Sequence, residues 1–330
     1  MSRTQTLEAW LHARLPGELL TVAPASADAS FRRYFRVTTS AGTRIVMDAP
    51  PEHEDCRPFV KVAHLFRAAG VNVPEVLAED IENGYLLLSD LGNTMYLAAL
   101  NDDTAGKLYA DATSALVKIQ LASRPGVLPD YDRELLLREL RLFPDWYIAK
   151  HLGIELSAAQ TQTLSAAFEA ILANNLAQPR VYVHRDYHSR NLMVTDPNPG
   201  IIDFQDAVFG PVTYDLVSLL KDAYIAWDEA RIIDWAVRYW EKARKAGLPV
   251  DADFSVFYRD FEWMGVQRHI KVLGIFARLF HRDGKDQYLH DMPLVMTYLR
   301  KACERYNGLG AFLRLLDELD RRRPATGRPR

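Results

Sequence analysis

Val181-Tyr-Val-His184-Arg-Asp186-Tyr-His188-Ser-Arg190-Asn191-Leu-Met-Val194 is followed, after a polar turn, by Gly200-Ile-Ile-Asp203-Phe-Gln-Asp206. Three short β-like runs, 181–183, 192–194 and 200–203, alternate with polar turns inside a region that otherwise reads as helix. Polar loops held on such a scaffold are where chemistry is commonly placed. The loop offers a carboxylate at Asp186, an amide at Asn191 and, after a returning strand, a second carboxylate at Asp203. ATP-dependent phosphoryl transfer needs this set: a carboxylate to orient a hydroxyl and accept its proton, and hard oxygen ligands for Mg²⁺. The strand turn is expected to let Asn191 and Asp203 face one ion. His184 and His188 have the spacing of zinc ligands but no third nitrogen or sulfur partner in a fitting pattern. His184 is read instead as packing and hydrogen-bonding the loop into shape. Asp206 is left open between assisting the metal and capping a turn.

The chain around this stretch divides by pattern. Leu7, Trp10, Leu11 and Leu15 repeat at helical spacing. Runs 34–39 and 43–48 flank Ser40-Ala41-Gly42 and predict a hairpin. Phe59, Val62, Phe66 and Ala69 predict a helix closed by Gly70, and runs 76–79 and 85–89 around Asn83-Gly84 predict a second strand pair. Beyond Leu91-Gly92 helices are expected at 104–122, 131–150, 157–176, 213–246, 253–280, 286–306 and 309–322. The expected fold class is α+β, with a small sheet-plus-helix lobe over 1–92, a mostly helical lobe over 93–320 and a basic tail over 321–330.

Composition narrows the class. Forty Lys and Arg against 43 Asp and Glu leave a charge of −3, which excludes a protein built on sequence-blind phosphate contacts to nucleic acid. The two cysteines, Cys56 and Cys303, exclude a disulfide scaffold and suit a reducing compartment. No apolar run is long enough to span a bilayer, and Met1–Trp10 lacks the apolar stretch of a signal peptide. A cytoplasmic monomer, with no membrane or nucleic-acid partner, is the expectation.

His184-x-Asp186-x₄-Asn191 followed by Ile-Asp203-Phe resembles the catalytic and metal loops of the protein-kinase-like superfamily. Within it the chain is most similar to the aminoglycoside phosphotransferase and choline kinase group, and Gly210-Pro-Val-Thr-Tyr-Asp215-Leu strengthens the likeness. The resemblance implies a two-lobed kinase-like fold, ATP and Mg²⁺, Asp186 as base, and Asn191 and Asp203 on the metal. It makes Leu86–Gly92, including Leu88, Ser89, Asp90 and Leu91, the adenine-binding hinge. It makes Ala25–Phe31, with Ser26, Ala27 and Ser30, the loop over the phosphates. Asp215 is read as bracing the catalytic loop.

One departure matters. Relatives carry a Lys on the third strand, paired with a Glu on the next helix. Here Met47 stands at or near the Lys, and Phe59–Phe66 carries no acid. Joint loss is sensible, since a lone charge in a cleft is costly. Lys61, Arg32, Arg33 or Arg44 is expected to meet the phosphate charge instead, with Lys61 or Arg33 favoured. The same departure keeps open a nucleotide-binding protein without turnover.

For the acceptor, residues 213–330 hold 21 Lys and Arg against 17 Asp and Glu, a surface that disfavours a polycationic aminoglycoside. Gln267, Arg268 and Lys271 fall on one helix face amid apolar residues. That stretch resembles a bacterial branch whose members phosphorylate N-acetylmuramate and N-acetylglucosamine at the anomeric hydroxyl during cell-wall recycling. The expected acceptor contacts are Asp186, Arg190, Arg268 and Lys271, a cation pairing with the lactyl carboxylate. Other small-molecule acceptors (an aminoglycoside, a choline-like molecule, an amino alcohol) are the alternative.

Overall fold

The structure is a computed structural model that describes residues 2–15, 21–27 and 31–322, with Ser26 and Ala27 described by backbone alone. The remaining residues, Ser30 and most of the basic tail among them, lie outside the described residues. By internal packing the chain forms two compact units, one of Met1–Ile119 with Arg190–Ala207, the other of Gln120–Ser189 with Val208–Arg330. A lobe boundary is expected at Gly92; by packing, the first unit runs on to Ile119 and takes in Arg190–Ala207. No helix among the described residues is long and apolar enough to cross a membrane.

The first unit is built on a five-stranded antiparallel sheet in the order β1-β2-β3-β5-β4, from β1 (Thr21–Ala27), β2 (Arg33–Thr39), β3 (Gly42–Asp48), β4 (Val76–Asp80) and β5 (Tyr85–Ser89). Helix α1 (Arg3–Arg14) closes one face. Its Leu7, Trp10 and Leu11 pack on Val37, Val46, Tyr85 and Leu87, the alternate residues that the strands turn toward it. Both expected hairpins form. Gly42 and Gly84 take positive φ at their turns, and a Cβ at Gly84 would lie 1.9 Å from the Ala49 carbonyl oxygen. Helix α2 (Arg57–Ala68) buries Phe59, Val62, Ala63 and Phe66, and Phe59 and Phe66 meet Phe204. The short α3 (Tyr96–Ala99) and α4 (Ala105–Leu121) follow.

In the second unit α5 (Arg133–Leu142) runs into a π-helical stretch, Phe143–His151. Helix α6 is Ala158–Ala177 and strand β6 is Arg180–Val183. The pair β7 (Leu192–Met193) and β8 (Gly200–Ile201) belongs to the first unit, and the chain returns with β9 (Val208–Pro211), which pairs antiparallel with β6. Helices α7 (Tyr214–Leu220), α8 (Glu229–Lys245), α9 (Phe254–Asp283), α10 (Met292–Arg305) and α11 (Gly310–Arg322) complete it.

Three expectations need correction. The helix expected over 131–150 changes type at Phe143, because Pro144 has no N–H to give and its ring crowds the preceding turn. The helix expected over 213–246 breaks between Leu220 and Glu229, where the Asp222 carboxylate accepts the N–H of Ser189. Strand β1 covers Ala25, Ser26 and Ala27, so the start of the expected phosphate loop is an edge strand, with Ser26 and Ala27 opposite Tyr34 and Arg33.

Helix α9 is the axis of the second unit, and most of its central residues are buried on every side. It crosses α5 where Gly274 meets the backbone of Leu142: a Cβ there would lie 2.5 Å from the Leu142 carbonyl carbon. Gly274→Ala is therefore expected to cost about 1–3 kcal/mol of stability through overpacking. A urea titration checks this, and an unchanged or raised midpoint refutes the close crossing.

Candidate active site

Each unit contributes a constellation of its own. In the second unit β6 delivers the chain into the loop that carries Asp186. Asp215, fully buried at the start of α7, receives the loop: Oδ2 accepts the N–H of His184 at 2.6 Å and Oδ1 that of Arg185 at 3.0 Å. Asp186 N–H donates to His184 Nδ1 at 3.2 Å, so that ring nitrogen acts as an acceptor. At the far end Asp222 accepts both the N–H (2.9 Å) and the hydroxyl (2.5 Å) of Ser189. Two carboxylates thus clamp the loop at its ends. The path between them has a cost: Arg185 sits at φ 78°, a left-handed conformation for a side chain with a Cβ. Asp203, in the first unit, is the other non-glycine position with positive φ (63°) among the described residues. Strain of this kind costs about 1–3 kcal/mol and collects at functional sites.

Asp186 is partly exposed. Burial of the carboxyl would raise its pKa, but Lys271, His188, Arg268 and Arg185 outweigh this and bring it down to about 2. Asp186 is therefore ionised throughout the working range. Burial has the upper hand at Asp215, whose carboxyl rises to about 7 despite its two backbone donors. If Asp186 is the base, turnover should show no acid limb from it between about pH 5 and 7. A pH–rate profile with such a limb, lost on replacing Asp186, would contradict the low pKa of that carboxyl.

The expected face of α9 is buried, not solvated. Lys271 Nζ is 2.9 Å from Glu139 Oε1 and donates to the Tyr214 hydroxyl at 2.9 Å. Gln267 Nε2 donates to Glu139 Oε2 at 3.2 Å. Arg268 Nε donates to Ser218 Oγ at 2.5 Å, while its NH1 is buried without a partner. Arg268 and Lys271 are 4 % and 6 % exposed, which makes them charges set behind the loop. Composition and spacing gave no sign of Glu139 or Asp222, both from other elements.

In the first unit, the β7–β8 pair brings Asn191 and Asp203 together: Asn191 Nδ2 donates to Asp203 Oδ2 at 3.3 Å, and Ile202 N–H to the Asn191 carbonyl at 3.1 Å. Gln205 Nε2 donates to Asp203 Oδ1 at 2.9 Å, which leaves Gln205 Oε1 buried with no hydrogen-bond partner. Among the described residues no three His, Cys, Asp or Glu cluster as a metal cage. One carboxylate with amide oxygens, one of them orphaned, is a donor set suited to a hard divalent cation that keeps several waters. Arg32 NH2 lies 3.9 Å from Asp203 Oδ1.

The other nucleotide candidates separate. Met47 is fully buried in β3, paired with Tyr34 and Leu86. Arg33 pairs with Asp48, a buried carboxylate that Arg3 also holds. Arg44 donates to the Thr43 carbonyl, and Lys61 is exposed on α2. At the expected hinge, Leu88 and Ser89 end β5, while the Asp90 carboxylate holds Arg36 Nε at 2.6 Å and the Gly92 N–H at 2.9 Å. Asp90 is thus a brace for the turn whose backbone passes at Leu91.

A loop carboxylate clamped ionised, and a carboxylate–amide pair on a strand turn, are the equipment of a phosphotransferase. The chain belongs to the phosphotransferase enzyme family, whose model matches residues 21–249. It is similar to a Neisseria meningitidis serogroup B protein named N-acetylmuramate/N-acetylglucosamine kinase, 52 % identical over 324 residues, or 97 % of this chain and 96 % of that one. A Pseudomonas aeruginosa protein of the same name is 50 % identical over 328 residues, covering 96 % and 97 %. A Caulobacter vibrioides one is 31 % identical over 314, covering 82 % and 85 %. Among solved structures, a choline/ethanolamine kinase family protein from Mesorhizobium loti aligns with TM-score 0.61 at 15 % identity over 96 % of this chain and all of that one. The GDP complex of aminoglycoside 2′-phosphotransferase-IIIa aligns with TM-score 0.61 at 12 % identity, covering 92 % and 99 %. These likenesses show the fold, an α+β kinase-like one.

Proposed function

We propose that the chain is an ATP-dependent kinase that phosphorylates the anomeric hydroxyl of N-acetylmuramate and N-acetylglucosamine. The observation that carries the reading is the match at 52 % identity along nearly the full length of both chains. The described residues include groups with the chemistry such a reaction needs. Asp186 takes the acceptor hydroxyl as a hydrogen-bond donor, aligns it for in-line attack and receives its proton as the new oxygen–phosphorus bond forms and the bond from the γ-phosphorus to the bridging oxygen breaks, releasing ADP. A carboxylate with so low a pKa takes the proton late, as the bond to phosphorus forms. Asn191 and Asp203, with Gln205 beside them, are the residues that would hold Mg²⁺. That ion, when bound, neutralises charge on the transferring phosphoryl group.

Three assignments refine the site. Arg32 replaces Arg33 and Lys61 as the counter-charge to the phosphates, since Arg33 is held by Asp48 and Lys61 faces outward. Residues 1–92 carry the nucleotide, with the backbone of Leu88–Leu91 for adenine. Arg190 and Asp186 are the acceptor contacts, while Arg268 and Lys271 act on Asp186 from behind. The kinase acts in the cytoplasm as a monomer.

The test is Mg²⁺-dependent ADP release from ATP with N-acetylmuramate, N-acetylglucosamine, kanamycin and choline as acceptors. Turnover on the N-acetyl sugars, with product phosphate on the anomeric carbon by ³¹P NMR, supports the reading. Turnover confined to kanamycin or choline replaces it with another small-molecule kinase. ATP binding without turnover on any acceptor replaces it with a nucleotide-binding protein.

A further inference from the structure

The hairpin that carries Asn191 and Asp203 is held from outside. Its strands β7 and β8 pair only Leu192 with Ile201 and Met193 with Gly200, too short a ladder to fix a register by itself. Asn191 leads into β7 and Asp203 follows β8, so the register sets which side chains meet at that end. The turn at the other end, 194–199, is gripped by neighbouring segments of the same unit. From α3 and α4, the Tyr96 hydroxyl and Asp111 Oδ2 each accept from Asn198 Nδ2 at 2.8 Å, and Asn198 Oδ1 accepts the Thr195 N–H at 3.3 Å. The amide's two N–H groups thus match two acceptors, and its oxygen one donor. From the stretch before β4, Asn72 Nδ2 donates to Thr195 Oγ1 at 3.1 Å and to the Pro197 carbonyl at 2.9 Å, while the Asn72 carbonyl accepts the Ile201 N–H at 2.8 Å. The Thr94 carbonyl accepts the Val194 N–H at 2.8 Å. At Gly200 the packing is so close that a Cβ would lie 2.9 Å from Thr195 Cγ2 and 3.1 Å from Leu91 Cδ1.

We propose that Asn198, with Asn72, is a positioning residue for the metal pair: it locks the 194–199 turn and thereby the register that brings Asn191 to Asp203. The assignment rests on reading Asn191 and Asp203 as the residues that hold Mg²⁺. A slip of one residue between β7 and β8 would turn the side chains of one strand to the opposite face. Mg²⁺ demands near-ideal octahedral geometry, so it tolerates little movement between two ligands that sit at the ends of different strands. The chemistry at position 198 is specific. An aspartate there would keep the shape, lose both donors and set its carboxylate against that of Asp111.

The experiment reads metal affinity directly, by electron paramagnetic resonance of Mn²⁺ titrated into the protein saturated with ADP. Mn²⁺ is the probe because it takes the same oxygen ligands as Mg²⁺. Asn198→Asp adds a negative charge, which by itself would draw cations in. It is expected instead to weaken Mn²⁺ binding about tenfold. Asn198→Asp with Asp111→Asn exchanges donor and acceptor at wild-type net charge, and is expected to return the affinity to within about threefold of wild type. Unchanged Mn²⁺ affinity in Asn198→Asp, whatever its melting temperature, overturns the proposal. So does a double variant no better than the single one. Where Asn198→Asp does not fold, Asn72→Ala decides: a loss of about fivefold or more with native melting temperature supports the proposal, and unchanged affinity overturns it. Asp203→Ala separates the two readings. If it binds Mn²⁺ as wild type does, the metal reading fails and the proposal with it. If it loses Mn²⁺ while Asn198→Asp does not, the proposal alone fails.

Discussion

Asp186→Asn is expected to reduce kcat by about 10²–10⁴-fold while leaving ADP affinity within about twofold of wild type. Asparagine has nearly the same shape and still accepts a hydrogen bond from the acceptor hydroxyl, but it cannot take the proton. The loop should survive the change, because its clamps are elsewhere: Asp215 on the N–H groups of His184 and Arg185, and Asp222 on Ser189. The loss should therefore appear in kcat. Steady-state kinetics and ADP titration check the split. A variant within tenfold of wild-type kcat would remove the base assignment, and a parallel loss of ADP binding would point to a structural role.

Glu262→Ala is expected to lower the free energy of unfolding by about 3–5 kcal/mol. Glu262, 2 % exposed on α9, accepts from Arg305 NH1 at 2.6 Å, Lys221 Nζ at 3.2 Å and the Tyr306 hydroxyl at 2.8 Å. Lys221 is the costly partner. Burial already pulls its pKa down and Glu262 opposes that pull, so the truncation strands a buried ammonium. Arg305 is 38 % exposed and also pairs with Glu229, so water can take its place there. Guanidinium denaturation with Lys221→Met as the second arm gives the measurement. The double variant should recover part of the loss, and a single-variant effect below about 1 kcal/mol would mean that the pair behaves as an exposed one.

Legibility in the sequence followed the range of the forces. The hairpins at Gly42 and Gly84 were readable because the turn chemistry is local. Strand β1 was not: Thr21–Ala27 is rich in small residues, contains Pro24 and lies on a sheet edge, so no alternation marks it. Strand β9 is four residues long and owes its existence to β6. The break after Leu220 was hidden for a similar reason, since an Asp222–Ser189 bond between distant residues outweighs helix propensity. The motif residues stood out by spacing. What supports them did not, because Glu139 and Asp222 arrive from other elements and carry no pattern of their own. The pairing of Arg33 with Asp48 was equally hidden, because Asp48 comes from the neighbouring strand.

The chain after Asp203 has one more consequence. In many signalling enzymes the corresponding stretch is a long flap whose position, set by covalent modification, decides whether the catalyst is on. Here residues 208–211 are already committed as β9 to a ladder with β6, and α7 begins at Tyr214. Arg185 finds its carboxylate within the fold, at Glu139, instead of waiting for a phosphate to arrive. Among the described residues this stretch holds no long flap for such a modification to move. A compound designed to trap a swung-out flap there would find none to trap.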